Sequence, residues 1–338
     1  MRVARLRIAV LVAAVISALA AGAGVALAGA KAAPIGRGVV VVETNLAYQG
    51  AAAAGTGIVL DASGEVLTNN HVIAGATTVR VVLPGTGRTY SASVLGYSRT
   101  NDVAVLQLQG ASNLKTLTLG TSRLAVGQAV TALGNAGGAG HLVTVTGRVT
   151  GLGKSITAAD DQGGTEQLTG LIEMNAAIVP GDSGGPLLDR RGRVIGMDTA
   201  GSVGGFQDVA ATDAYAIPIG RATAIAKQIL AGQSSATVHV GDTPFVGIQV
   251  GSVDAGFGQP PAAGALVVGV VPNGPADAAG LVQGDVITAL DGQAISSPAD
   301  LPALILAQKP GATVTVGYTD PTGASATVTV TLGSGPPQ

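Results

Sequence analysis

The residues best suited to chemistry are a serine, a histidine and an aspartate far apart in the chain. The serine lies in Pro180-Gly181-Asp182-Ser183-Gly184-Gly185-Pro186, directly after the apolar run Ala176-Ala177-Ile178-Val179. Glycine permits backbone conformations that a Cβ forbids and lets other groups approach the chain closely. Ser183 can therefore present its hydroxyl to an incoming carbonyl. The N–H groups of Gly181 and Ser183, with help from Asp182, would point at the oxyanion that forms. One such donor is worth about 10²–10³ in the rate of acyl transfer. A hydroxyl is a weak nucleophile until a base takes its proton, and only His71, His141 and His239 offer an imidazole. His71 closes the strand-like run Val66-Leu67-Thr68-Asn69-Asn70-His71. His141 sits in a Gly-rich loop and His239 between two regions that read as separate domains, so both are predicted to be solvated or structural. The base also needs a buried carboxylate to fix its tautomer and stabilise the imidazolium. Asp102 directly precedes the apolar run Val103-Ala104-Val105-Leu106, and an unpaired carboxylate beside a core is costly. Taken singly, each signal has a plain alternative: a Gly-rich turn, a structural histidine, a turn-capping aspartate.

Together they are specific. The order His71, Asp102, Ser183 is that of the chymotrypsin-like β-barrel proteases and not of the subtilisin or α/β-hydrolase groups. Thr68-Asn69-Asn70-His71-Val72-Ile73, Asp102-Val103-Ala104-Val105-Leu106 and Gly181-Asp182-Ser183-Gly184-Gly185-Pro186-Leu187 resemble the three active-site blocks of HtrA/DegP-type serine proteases. Tyr215-Ala216-Ile217-Pro218-Ile219 resembles the block that ends their protease domain. The similarity is to the secreted, PepA-like branch of actinobacteria, and it runs from about Val39 onward. It implies a serine endopeptidase of protein quality control, acting on unfolded or extended polypeptides without a cofactor or metal. It places Ala177 at the floor of the S1 pocket, which would then favour small or medium apolar side chains. It makes Thr199, Ala200 and Gly201 the edge strand that pairs with substrate by β-augmentation. It also allows a homotrimer, although the aromatic contacts that build such trimers are not recognisable in this N-terminal segment. Two positions depart from the pattern. Asp182 stands where many relatives carry Asn, and Met174-Asn175 where they often carry Thr-Asp. In pancreatic-type enzymes an Asp at the first position pairs with a freed N-terminal amine; no zymogen cleavage is expected here.

The elements that must position these groups are mostly strands. The chain has 338 residues, enough for two domains. Short β-branched runs separated by Gly-rich turns recur from Val39 to Thr199, which argues for barrels or sandwiches and not for alternating βα units. The resemblance sharpens this to two six-stranded barrels, a chymotrypsin-like protease domain over residues 39–231. Its last element is a helix at Arg221–Leu230, with Ala222, Ile225, Ala226, Ile229 and Leu230 on one stripe. Two polar loops, Ala159–Thr165 and Gly201–Asp213, would shape the pocket. A polar linker, 232–243, leads to a small α+β domain at 244–333 that resembles a PDZ domain. Val270-Val271-Pro272-Asn273-Gly274-Pro275-Ala276 and Gly284-Asp285-Val286-Ile287 match its blocks. The resemblance makes Phe245, Val246, Gly247 and Ile248 the loop and strand start that hold a peptide C-terminus, facing a helix at Asp300–Ala307.

Composition narrows the classes further. Aromatics are 2% with no tryptophan, and the net charge is −2, so neither base stacking nor a basic field points to nucleic acid. The absence of cysteine excludes a thiol nucleophile, disulfides and thiolate metal sites. Residues 1–30 combine Arg2, Arg5 and Arg7 with an uncharged run and Ala26-Leu27-Ala28, the pattern of a secretory signal peptide. The run is also near the ~20 residues that span a bilayer, so a membrane anchor stays open. Either way the catalytic part lies outside the cytoplasm. Two other classes stay alive: a peptide-binding or chaperone module whose protease site rests inactive, and an esterase using the same three side chains.

Overall fold

A computed structural model of the chain describes residues 36–121, 123–159, 165–201, 214–253 and 262–338. The N-terminal segment, the loop at 160–164 and most of the loop between Gly201 and Asp213 lie outside these residues, as do the expectations attached to them.

The first barrel holds β1 (Val39–Leu46), β2 (Ala51–Val59), β3 (Glu65–Thr68), β4 (Thr78–Leu83), β5 (Arg88–Ser98) and β6 (Val103–Leu108). The order is β4-β1-β2-β3-β6, and β5 pairs with both β4 and β6 to close the ring. An uninterrupted apolar run suits a strand covered on both faces, and Val39, Val40, Val41 and Val42 of β1 are all at most 2% exposed. A helical turn, α1 (Asn70–Ile73), follows β3. The predicted strand end at His71 is therefore a helix start. Val72 and Ile73 are buried beneath it, which anchors the turn against the barrel.

The second barrel holds β7 (Ala129–Gly134), β8 (Val143–Ala159), β9 (Thr165–Met174), β10 (Pro186–Leu188), β11 (Val194–Gly201) and β12 (Ala214–Pro218), closed in the order β10-β11-β12-β9-β8-β7. The fold class read from the sequence is thus observed. β8 and β9 run further than their apolar patterns suggested, and their ladder continues to Ala159↔Thr165. Polar residues such as Thr157 and Gln167 face each other there. Beyond Ile156↔Leu168 the facing residues are polar or small, so the apolar pattern gave no sign of the extension.

Out of β12 runs α2 (Ile219–Leu230). Its buried Ala222, Ile225, Ala226 and Ile229 share one cluster with Leu67, Val103 and Val105 of the first barrel and Leu188, Met197 and Ile217 of the second. At about 1.5–3 kcal/mol for each large side chain fully buried, this stripe is a principal bond between the barrels. The stretch predicted to be a plain linker is partly built in. Val238 is 3% exposed, and β13 (His239–Val240) pairs with β5 through His239↔Tyr97 and Val240↔Gly96.

The last region contains β14 (Thr243–Phe245), β15 (Ile248–Val253), β16 (Ala262–Val270), α3 (Pro275–Ala278), β17 (Val286–Leu290), β18 (Gln293–Ala294), α4 (Asp300–Leu306), β19 (Thr313–Thr319), β20 (Ser325–Thr331) and β21 (Gly333–Gly335). Its core gathers Val267, Leu281, Ile287, Leu301, Ile305 and Val316. It is tied to the first barrel at several points. The Tyr48 and Phe245 rings stack at 5.5 Å, 10° apart. Gln249 Nε2 donates to Tyr48 O at 3.3 Å. β21 pairs with β14, and the chain then runs to α1, where Gly75 N donates to Pro337 O (2.7 Å) and Asn70 Nδ2 to Gln338 O (3.1 Å).

Candidate active site

Asp102 sits at the mouth of β6 in the left-handed region, φ 51°. Asp tolerates this conformation better than most residues. Two bonds hold it there: its N–H donates to Arg99 O at 2.8 Å, and buried Asn69 Nδ2 donates to its carbonyl at 2.9 Å. The chain reversal turns its carboxylate toward α1. There His71 N donates to Oδ1 at 3.0 Å, and His71 Nδ1 lies 3.0 Å from Oδ1 and 2.9 Å from Oδ2. A carboxylate only accepts, so Nδ1 carries the hydrogen, and in the neutral ring Nε2 keeps its lone pair. The imidazole side chain is 40% exposed, whereas that of Asp102 is 3% exposed. One nitrogen is thus fixed in the protein while the ring opens to the surface.

A further donor completes this arrangement. Thr199 Oγ1 donates to Asp102 Oδ2 at 2.6 Å and is itself buried. The sequence reading gave Thr199 only a role in substrate pairing; its side chain is committed to Asp102. The backbone explains how. β11 pairs with β12 at Asp198↔Ala216 and again at Gly201↔Ala214, with a register shift between them. Thr199 and Ala200 fall in that irregularity, the kind of bulge that re-aims side chains beside active sites.

Ser183 is held by Thr56, a residue that the sequence reading passed over as part of a strand. Thr56 N donates to Ser183 O at 2.8 Å, and Thr56 Oγ1 donates to Gly181 O at 2.7 Å while accepting from Asn135 N at 2.9 Å. Thr68 Oγ1 in turn donates to Thr56 O at 2.7 Å. The first barrel thereby pins the loop of the second. Packing leaves no slack: a Cβ on Gly184 would collide with Thr56 O, and one on Gly181 with Asn135 O. Both glycines have positive φ, 84° and 98°. A Cβ on Gly55 would lie 2.7 Å from both Val72 methyls and 3.2 Å from Ser183 O, so the chain after His71 and the serine loop meet across that glycine.

Among the described residues, neither Gly181 N–H nor Ser183 N–H donates to a backbone carbonyl, whereas Asp182 N–H is engaged with Val179 O at 3.0 Å. The expected help from Asp182 as a third donor is therefore corrected, since its hydrogen is already used. The Asp182 side chain is 3% exposed and accepts from Val179 N at 2.9 Å through Oδ2. Burial pushes this carboxyl above its ordinary range, and the Val179 bond offsets part of the rise.

The other expected positions are more spread out. Ala177 is exposed, between buried Ala176 and half-buried Ile178. Ala200 and Gly201 lie in β11 at the edge of the described residues. His141 is exposed, and its Nδ1 lies 3.3 Å from Ala139 O. His239 packs on Tyr97 at 5.1 Å. In the last region Val246 O accepts from Ala276 N and Gly247 O from Val271 N, both at 2.9 Å. Gly247 has φ 82°. Among the described residues, the Val246 and Gly247 N–H groups donate to no backbone carbonyl. Phe245 leads into this turn, and Ile248 opens β15 beyond it. Among the described residues, no three His, Asp or Glu side chains group as metal ligands would.

Residues 55–197 match the trypsin-like peptidase domain model and residues 244–332 the PDZ domain model. The serine protease PepD of Mycobacterium tuberculosis is 35% identical over 87% of this chain and 63% of its own length. A probable periplasmic serine endoprotease, DegP-like, of Pseudomonas fulva is 37% identical over 76% of this chain and 51% of its own. A solved structure, the HtrA-type protease AlgW with tripeptide, superposes with a TM-score of 0.50 at 30% identity, covering 90% of this chain and 95% of that one. The chain belongs to the HtrA-type serine proteases. This HtrA-type chain spans 51% to 63% of the length of those two curated relatives.

Proposed function

We propose that the chain is an exported serine endopeptidase that cleaves unfolded or exposed polypeptide through Ser183, His71 and Asp102. The observation that carries this reading is the clasp of Asp102 on His71, with Nδ1 held at 2.9 Å and 3.0 Å from the two carboxylate oxygens. With Nδ1 so engaged, Nε2 is the nitrogen that takes the Ser183 proton as Oγ attacks the scissile carbonyl. Negative charge then gathers on the carbonyl oxygen, where the N–H groups of Gly181 and Ser183 stabilise it. The imidazolium, balanced by Asp102, returns its proton to the leaving amine. A water repeats the sequence to release the acyl group. The protease domain spans 39–231, with 232–243 leading to the PDZ domain at 244–333.

Substrate is taken as an extended chain along β11. The step out of register after Asp198 supports this, because Thr199 and Ala200 leave the ladder with β12 there. Ala177 at the pocket floor favours small or medium apolar side chains. The PDZ domain takes a peptide C-terminus at the turn Phe245-Val246-Gly247, where two N–H groups stand ready for a carboxylate, and β15 beyond Ile248 extends the ligand as a strand. Export, through residues 1–30, fits the periplasmic naming of the DegP-like relative.

Wild type and Ser183→Ala should be compared on an unfolded protein such as casein and with a fluorophosphonate probe. Hydrolysis and labelling in wild type, both absent from Ser183→Ala, are expected. Activity should fall toward acid pH, as His71 gains a proton on the nitrogen that must accept one. Folded protein that hydrolyses nothing and takes no label, even with an activating peptide, would leave a peptide-binding module. For the PDZ turn, a peptide with a free carboxylate should bind and its C-terminal amide should not.

A further inference from the structure

One feature beside the nucleophile is left unused by the hydrolysis just described. Asp198, on β11, is 0% exposed, and among the described residues neither of its carboxyl oxygens has a hydrogen-bond partner. Asp182 Oδ1 is also buried and without a partner. The two residues are brought side by side by backbone bonds. Gly184 N donates to Asp198 O at 2.9 Å, Asp198 N to Gly185 O at 2.7 Å, and Gly185 N to Asp182 O at 2.9 Å. Among the described residues, the charge that acts on Asp198 beside its burial is that of Asp182. Ala216, opposite it on β12, and Gly184 and Gly185, which bond to its backbone, carry no charge. Asp182 Oδ1 lies against Gly134, where a Cβ would sit 2.5 Å from it.

An ionised carboxylate cannot persist in such a place without a donor or a counter-ion. Asp198 has neither, so it is the neutral member. A neutral carboxyl has one hydrogen to donate, and the coupled carboxylate offers an orphan acceptor in Asp182 Oδ1. We propose that Asp182 and Asp198 hold one proton between them, as a carboxyl–carboxylate pair, and that this proton positions the nucleophile loop. Resting on the peptidase reading, the pair acts through its neighbours: Gly181 precedes Asp182, and Ser183 follows it. When the proton leaves as the pH is raised, two like charges face each other in a buried site. Asp182 yields, carrying the two oxyanion donors out of place. Asp198 is thus a positioning residue that never touches substrate.

The test compares full-length wild type with Asp198→Asn, whose side-chain amide donates to Asp182 at every pH. Three readouts are followed against pH: the infrared C=O band of a protonated carboxyl, hydrogen exchange of residues 179–186, and fluorophosphonate labelling of Ser183. Wild type should show the band at neutral pH. On raising the pH it should lose the band, the protection of the loop and the labelling together. Asp198→Asn should lack the band from the start, yet keep protection and labelling over the same rise in pH. The proposal is overturned if wild type has no such band at neutral pH, if Asp198→Asn leaves the band in place, or if both proteins lose protection at the same pH. Should band and protection behave as expected while no variant takes label at any pH, the proton pair stands and the peptidase reading falls.

Discussion

Thr56→Val removes one hydroxyl and little else, since valine keeps the volume and the β-branched fit to a strand. The hydroxyl sits 2.7 Å from Gly181 O and 2.9 Å from Asn135 N, at a residue 0% exposed. Its loss deprives the Gly181 carbonyl and the Asn135 N–H, both on buried residues, of that partner. At about 1–3 kcal/mol per orphaned group, the change costs roughly 2–6 kcal/mol. That cost can be met in two ways. If the loop stays put, the folded state carries all of it, and the urea midpoint falls while kcat is retained. If the Gly181 carbonyl swings away to find water, its peptide takes the Asp182 N–H with it, the flanking Gly181 and Ser183 donors lose their aim, and kcat falls by about 10²–10³. The collisions that await even a Cβ around Gly181 and Gly184 show how tightly the loop is cast. The carbonyl of Gly181 nevertheless lies along the chain between the Gly181 and Ser183 N–H groups, in the peptide that carries the Asp182 N–H. We therefore expect the second outcome, with KM little changed and Thr56→Ser restoring most of the rate. The assay is kcat and KM on an unfolded substrate, beside urea denaturation of the same samples. Thr56→Val protein with wild-type kcat and wild-type stability would refute the reasoning.

Thr199→Val removes the 2.6 Å bond to Asp102. A hydrogen bond to a charged group is worth about 1.5–3 kcal/mol, so kcat should drop by about 10–150-fold. Thr199→Ser should recover it, which steady-state kinetics would check. Gly184→Ala should abolish labelling of Ser183 and lower the melting temperature sharply, through its clash with Thr56. Gly192→Ala, at φ 71° with nothing within 4 Å, should show only the backbone penalty of about 1–2 kcal/mol. For Asp198 the sign is set by its raised folded-state pKa. At this residue the native state binds more protons than the unfolded one, so its contribution to stability is greatest in acid. It is lost as pH climbs from the ordinary carboxylate value, 3.8, toward the raised one. Asp198→Asn should flatten that fall, which urea midpoints across pH would reveal.

His71, Asp102 and Ser183 were legible because each lies in a short block whose neighbours carry a message of their own: an apolar strand, a turn, a run of glycines. Thr56 and Thr199 carry no such local signature. Their partners stand 125 and 97 positions away, and a lone hydroxyl in a strand looks the same whether it faces water or a buried carboxylate. Asp198 was equally silent, since an aspartate inside an apolar strand is noticed only when its burial is known. The barrels followed from β-branched runs, yet the long β8–β9 arm did not, because polar strands lack the alternation by which strands are read. β13 was missed for a related reason. Ser234, Ser235 and Thr237 spell a linker, and only Val238 beside them is buried.

The route taken by the last residues has a practical side. Past β21 the backbone crosses to α1, and its carbonyl at Gln338 is grasped by Asn70, the residue next to His71. A pull on this segment is therefore felt one peptide bond from the base. An affinity handle placed there would press on the catalytic machinery, whereas one inserted at the surface turn between β19 and β20 would not.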